Sequence, residues 1–71
     1  MRDYYGVYRS KDGSTWAGRE GRFADDVIAL NSMKFMTITK IIENDEGELK
    51  EKRFSYELDY LLCGKRVVFN G

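Results

Sequence analysis

The chain contains no histidine and a single cysteine among its 71 residues. Without histidine it lacks the commonest general base and the commonest metal ligand. One Cys and no His exclude a structural zinc site, and no Cys-His or Ser-His dyad can be assembled. A lone cysteine forms no internal disulfide, which fits a reducing compartment. No apolar run exceeds four residues, the length of Val27 to Leu30, whereas a membrane-spanning helix needs about 20. The first residues, Met-Arg-Asp-Tyr-Tyr-Gly, carry no apolar signal-peptide core. Charge of one sign is lacking too: 12 basic groups balance 12 acidic ones. That balance removes the basic signature of a general nucleic-acid binder. These absences lead us to expect a cytoplasmic protein that is not an enzyme and holds no metal or cofactor. Chemistry by carboxylates alone is the remaining catalytic route, but so short a chain has little room for the cleft it needs.

Hydrophobic residues make up 42% of the chain and aromatic residues 14%, the composition of a packed globule rather than a disordered tail. The length suits one domain over residues 1–71. Lys11-Asp12-Gly13-Ser14 contains Asp-Gly, a strong hairpin signal, read here as a type I′ turn. It joins strands at Tyr4–Arg9 and Thr15–Arg19, paired so that Arg9 faces Trp16 and Tyr8 faces Ala17. Tyr5, Val7, Arg9 and Trp16 then share one face, and Tyr4, Tyr8, Ala17 and Arg19 the other. The Trp16 face is expected inside and the Tyr4 and Tyr8 face outside. Gly18–Arg22 is expected to be a glycine loop. Phe23, Val27 and Leu30 fall on one stripe of a short helix over residues 23–33, with a buried strand at Val27–Leu30 as the rival reading. Phe35–Glu43 and Leu49–Leu58 are β-rich and flank Asn44-Asp45-Glu46-Gly47. A three-residue loop there sets Ile38 opposite Phe54. Gly64-Lys65 fits a type II′ turn pairing Leu62 with Val67, and a helical turn over Tyr56–Leu62 is the alternative. The pattern is α+β, in the order ββ-α-βββ: a small antiparallel sheet or partly open barrel of about five strands with one short helix.

Three stretches are candidate binding regions. Tyr4, Tyr5, Tyr8 and Trp16 with Arg9, Lys11, Arg19 and Arg22 interleave aromatic and basic side chains, as single-strand nucleic-acid binders do. The structural alternative is a hairpin with one core face and one solvated face. Residues 1–23 carry a net +2, a weak field beside a phosphate backbone. The loop Gly18–Arg22 could grip an anion, yet it matches neither a Walker nor a dinucleotide pattern. The segment 43–51 carries five carboxylates against Lys50; Glu46 and Glu48 at its tip suit docking on a basic protein surface. Ile42 stands where a calcium loop would place an oxygen ligand. Cys63, beside Lys65 and Arg66, reads as a small buried thiol.

Residues 18–23 resemble the end of a Src-homology-3-type barrel over six residues alone. The Pro and Tyr that follow there are replaced by Ala24 and Asp25, and no ligand groove is recognisable, so the likeness assigns no family. The expectation is a small binding domain that docks on a protein partner, of the kind that serves phages or mobile elements as an accessory or inhibitor. A nucleic-acid-binding module built on the N-terminal hairpin is the alternative. Self-association of the basic end with the acidic end fits the same charge separation.

Overall fold

A computed structural model describes residues 1–69. Strand β1 (Arg2–Ser10) turns back into β2 (Trp16–Phe23), and helix α1 (Asp26–Ser32) follows. Strands β3 (Phe35–Glu43), β4 (Leu49–Cys63) and β5 (Arg66–Phe69) complete the chain. All pairings are antiparallel, in the order β2-β1-β4-β3, with β5 also on β4. The domain is therefore dominated by a curled sheet, more β-rich than α+β suggests.

The turns impose the registers. The pairs Arg9↔Trp16, Ile38↔Phe54 and Leu62↔Val67 all form as the turn lengths require. The first turn differs from expectation. Asp12 keeps a negative φ and only Gly13 is positive, at 75°, so this is not a type I′ turn. Gly13 N–H donates to the Ser10 carbonyl at 2.9 Å. The Asp12 carboxylate accepts from Ser10 Oγ, Ser14 Oγ and Ser14 N–H, an Asx arrangement that holds Asp12 away from the left-handed region. These bonds pull its pKa down to about 2.

Three further expectations are corrected. Gly18–Arg22 is no loop, because β2 runs unbroken through it. The last two strands expected before Gly64 are one 15-residue strand, β4, and no helical turn forms at Tyr56–Leu62. A bulge at Asp59, between the pairs Val7↔Tyr60 and Tyr8↔Leu58, lets that strand bend without breaking. The helix exists but is shorter than residues 23–33. Asp25 caps it by accepting from Ile28 N–H at 2.9 Å. That start turns Ala29, Leu30 and Met33 toward the sheet and leaves Val27 and Ile28 exposed, one position off the expected stripe.

The core lies between α1 and one sheet face: Tyr4, Tyr8, Ala29, Met33, Tyr56, Leu58 and Leu61. Two strand glycines let the helix come close. A Cβ on Gly6 would meet Met33, Leu58 and the Tyr8 ring at 2.9–3.1 Å, and one on Gly21 would press on Phe23 and the Met33 sulfur. Only half of β4 is flanked on both sides: β1 ends opposite Tyr56, while β3 runs on to Leu49. The β3–β4 hairpin thus projects as a two-stranded arm and stretches the molecule to 48 × 22 × 19 Å. Lys40 and Lys52 each set an ammonium 5.3 Å from the Phe54 ring, closing the core at the arm's base.

Candidate functional site

Among the described residues, the face of the sheet opposite α1 carries no other element. The registers lay it out in three rows across four strand positions. Trp16, Arg9, Glu57 and Phe35 form the first row; Gly18, Val7, Tyr60 and Phe69 the second; Glu20, Tyr5, Leu62 and Val67 the third. Eight of these twelve positions are aromatic or aliphatic. Trp16 is 52% exposed, Phe35 63% and Phe69 74%. The rows cover roughly 20 by 20 Å, at about 4.8 Å between strands and about 3.3 Å per residue. A sheet packed on one side ordinarily alternates apolar inside with polar outside; here Tyr5 and Val7 of β1, Tyr60 and Leu62 of β4, and Val67 and Phe69 of β5 make outside positions apolar as well.

The face is ordered locally. The Arg9 guanidinium sits 4.7 Å from the Trp16 ring centroid, so the charge covers the indole instead of projecting from it. The Tyr5 ring lies across Gly18, where any Cβ would collide with it. Arg22 is paired with Asp3 at 2.9 Å beyond the third row.

The expected inside and outside of the first hairpin are reversed. Tyr4 and Tyr8 are core residues at 2% and 0% exposure, and their rings are unavailable to a ligand. Arg9 and Trp16 are brought together on the open face. Arg19 stands on the helix side near Tyr8, apart from them, and Arg22 is at the far end. Glu46 and Glu48 sit at the arm tip, where the Asn44 side chain accepts from both of their N–H groups at 3.0 and 2.9 Å.

The groups with displaced pKa values are explained by packing. The bond from Arg66 and then that from Tyr4 hold the Asp26 carboxyl far below the usual carboxylate range, and the same pairing raises Arg66. Tyr4 donates to Asp26 at 2.7 Å, while Arg66 grips both carboxylate oxygens. This ties α1 to β1 and β5. Burial, followed by the bond to Asp26, pushes the Tyr4 hydroxyl up. Burial also raises Tyr8, and the Arg19 charge offsets part of the rise. Among the described residues, no cluster of three or more Cys, Asp or Glu side chains is placed to hold a metal. No helix in that range is long and apolar enough to cross a membrane.

Beyond Tyr5, which the hairpin reading included, the residues that sequence reasoning left out are Val7, Tyr60, Leu62, Val67, Phe69 and Phe35. Their signal was present: Tyr4–Tyr8, Tyr60–Leu62 and Val67–Phe69 show no polar alternation, as strands apolar on both faces must. Comparison with family models, with curated proteins and with solved structures gives no match.

Proposed function

We propose that this is a non-catalytic binding domain that docks on a protein partner through the helix-free face of its sheet. The observation that carries the reading is the apolar composition of that face, with Trp16, Tyr5, Phe35, Val67 and Phe69 open to solvent. Contiguous exposed patches of this size, centred on aromatic residues, are characteristic of protein interaction sites. Charge is sparse there, Arg9 against Glu20 and Glu57, as at the centre of protein interfaces. The same balance does not favour a polyanion, and the basic residues expected to serve nucleic acid are divided between two faces. An inhibitor or accessory of a larger assembly would work through such a surface.

The test uses matched variants. Proteins retained from a lysate by the wild type should be lost on Trp16→Ser and Val67→Lys, and kept on Glu46→Lys with Glu48→Lys. Loss on the acidic-turn pair alone would move the site to the arm tip. A ¹⁵N amide titration with a mixed single-stranded oligonucleotide pool should be silent. Shifts at Arg9 and Trp16 that fade with salt would favour nucleic acid instead.

A further inference from the structure

The arm has two strand edges, and their sequences treat those edges differently. The free part of β4, residues 49–55, contains Lys50, Glu51, Lys52 and Arg53 in succession, the kind of charge that keeps an edge from pairing. The outer edge of β3 runs nine residues, Phe-Met-Thr-Ile-Thr-Lys-Ile-Ile-Glu, with only Lys40 and Glu43 charged. β3 is the terminal strand of its sheet and pairs only with β4 among the described residues. The β2 edge is interrupted by glycine and charge, and β5 has four residues.

The hydrogen bonds reveal which groups of β3 are free. Asn44 N–H donates to the Glu48 carbonyl, and Leu58 N–H to the Lys34 carbonyl. The register between these ends is unbroken. In an antiparallel ladder bonded and non-bonded pairs alternate, so the even-numbered residues of β3 bond to β4. Phe35, Thr37, Thr39, Ile41 and Glu43 therefore direct their N–H and C=O groups outward.

We propose that this edge pairs with the same edge of a second copy, antiparallel about a two-fold axis through Thr39, so that the two arms join in one continuous sheet. Centring on Thr39 places Thr39 on Thr39, Thr37 on Ile41 and Phe35 on Glu43. Each of the five outward residues then meets an outward residue of the other copy, and every free N–H finds a carbonyl. A shift by one residue sets outward groups against inward ones and loses the ladder. Centring on Lys40 opposes two ammonium groups and leaves Phe35 unpaired. Centring on Ile38 leaves Glu43 unpaired. The Thr39 register opposes no like charges, and it brings Lys34 of one copy beside Asn44 and the acidic turn of the other. Pairing consumes the β3 edge of both copies, so the assembly closes as a dimer. This edge shares Phe35 with the sheet face proposed for the partner, but through its backbone rather than its ring, and either inference can fail alone.

The experiment is sedimentation equilibrium of the full chain over a concentration series, with circular dichroism to verify folding. The wild type should shift from monomer to dimer. Thr39→Pro should remain monomeric, because the Thr39 N–H points away from β4 and its loss spares the β3–β4 ladder. Thr39→Lys, which opposes two charges across the axis, should weaken association by about tenfold or more. In hydrogen exchange, the amides of Phe35, Thr37, Thr39, Ile41 and Glu43 should gain protection as concentration rises. Thr39→Cys in a Cys63→Ser background should oxidise to a covalent dimer. Ile38→Cys should not, since its two copies lie about 8 Å apart, beyond disulfide reach. A wild type that stays monomeric throughout overturns the proposal. So does a dimer that tolerates Thr39→Pro but is abolished by Val67→Lys, which would seat the second copy on the sheet face.

Discussion

The two faces of the sheet are made by the same strands and similar residues, yet only one is covered. On the covered face Tyr4, Tyr8, Leu58 and Leu61 pack beneath Ala29 and Met33. On the other, Tyr5, Val7, Tyr60 and Leu62 meet no further element among the described residues. Hydrophobicity does not distinguish them. Space does: Gly6 and Gly21 open a hollow on one side that α1 fills, whereas the gap at Gly18 on the other side is filled by the Tyr5 ring. Burial energy follows the helix, and what it leaves exposed is available for binding. On the proposed reading, stability and interaction fall on opposite sides of one sheet.

Substitutions on alternate residues test that division. The largest effect is expected at the centre of the covered face: Leu61→Ala should lower the unfolding free energy by about 3 kcal/mol in urea titration. Val67→Ser on the open face should stay within about 0.5 kcal/mol. Equal losses would mean that the open face is part of the fold's own core. The glycines should divide in the same way. Gly6→Ala forces Met33, Leu58 and Tyr8 to shift and should cost about 2 kcal/mol. Gly18→Ala only swings Tyr5 outward and should cost less than about 0.5 kcal/mol.

A smaller contrast concerns hydroxyls. Among the described residues the buried Tyr8 hydroxyl has no well-formed hydrogen bond and only the Arg19 charge beside it, so Tyr8→Phe should change stability by less than about 1 kcal/mol. Tyr5→Phe, at an exposed position, should leave it unchanged. The smallest effect separates the first turn from both faces. Asp12 has its pKa depressed to about 2 from 3.8, so its contribution is present above pH 4 and is lost as pH falls toward 2. Melting temperatures measured between pH 5 and pH 2 should fall less steeply in Asp12→Asn than in the wild type; parallel curves would remove the turn from the acid response.

Local features were legible in the sequence because local geometry decides them. A turn of given length admits one register, and so Arg9↔Trp16, Ile38↔Phe54 and Leu62↔Val67 followed from Asp12-Gly13, Asn44–Gly47 and Gly64-Lys65. The helix after Phe23 was legible from its apolar spacing and its acidic start. Its phase was not, since it turns on Asp25 acting as the cap. Of the expected binding residues, Arg9 and Trp16 share the open face and Glu46 and Glu48 share the arm tip. Tyr4 and Tyr8 belong to the core. Strand residues 4–8 are apolar on both sides, and nothing within the hairpin ranks one side above the other. Contacts between residues far apart in the chain decide it: Met33 against Gly6, and Asp26 against Tyr4 and Arg66. The continuity of β4 is settled in the same way, because β1 and β5 hold Tyr60–Cys63 in the sheet that Leu49–Leu58 enters. The sequence by itself determined the presence of the helix and the registers of the three hairpins, which are set by turns a few residues long. Only the tertiary structure decided that β1 pairs with β4 and which face the helix covers, because those depend on where distant segments find room to pack.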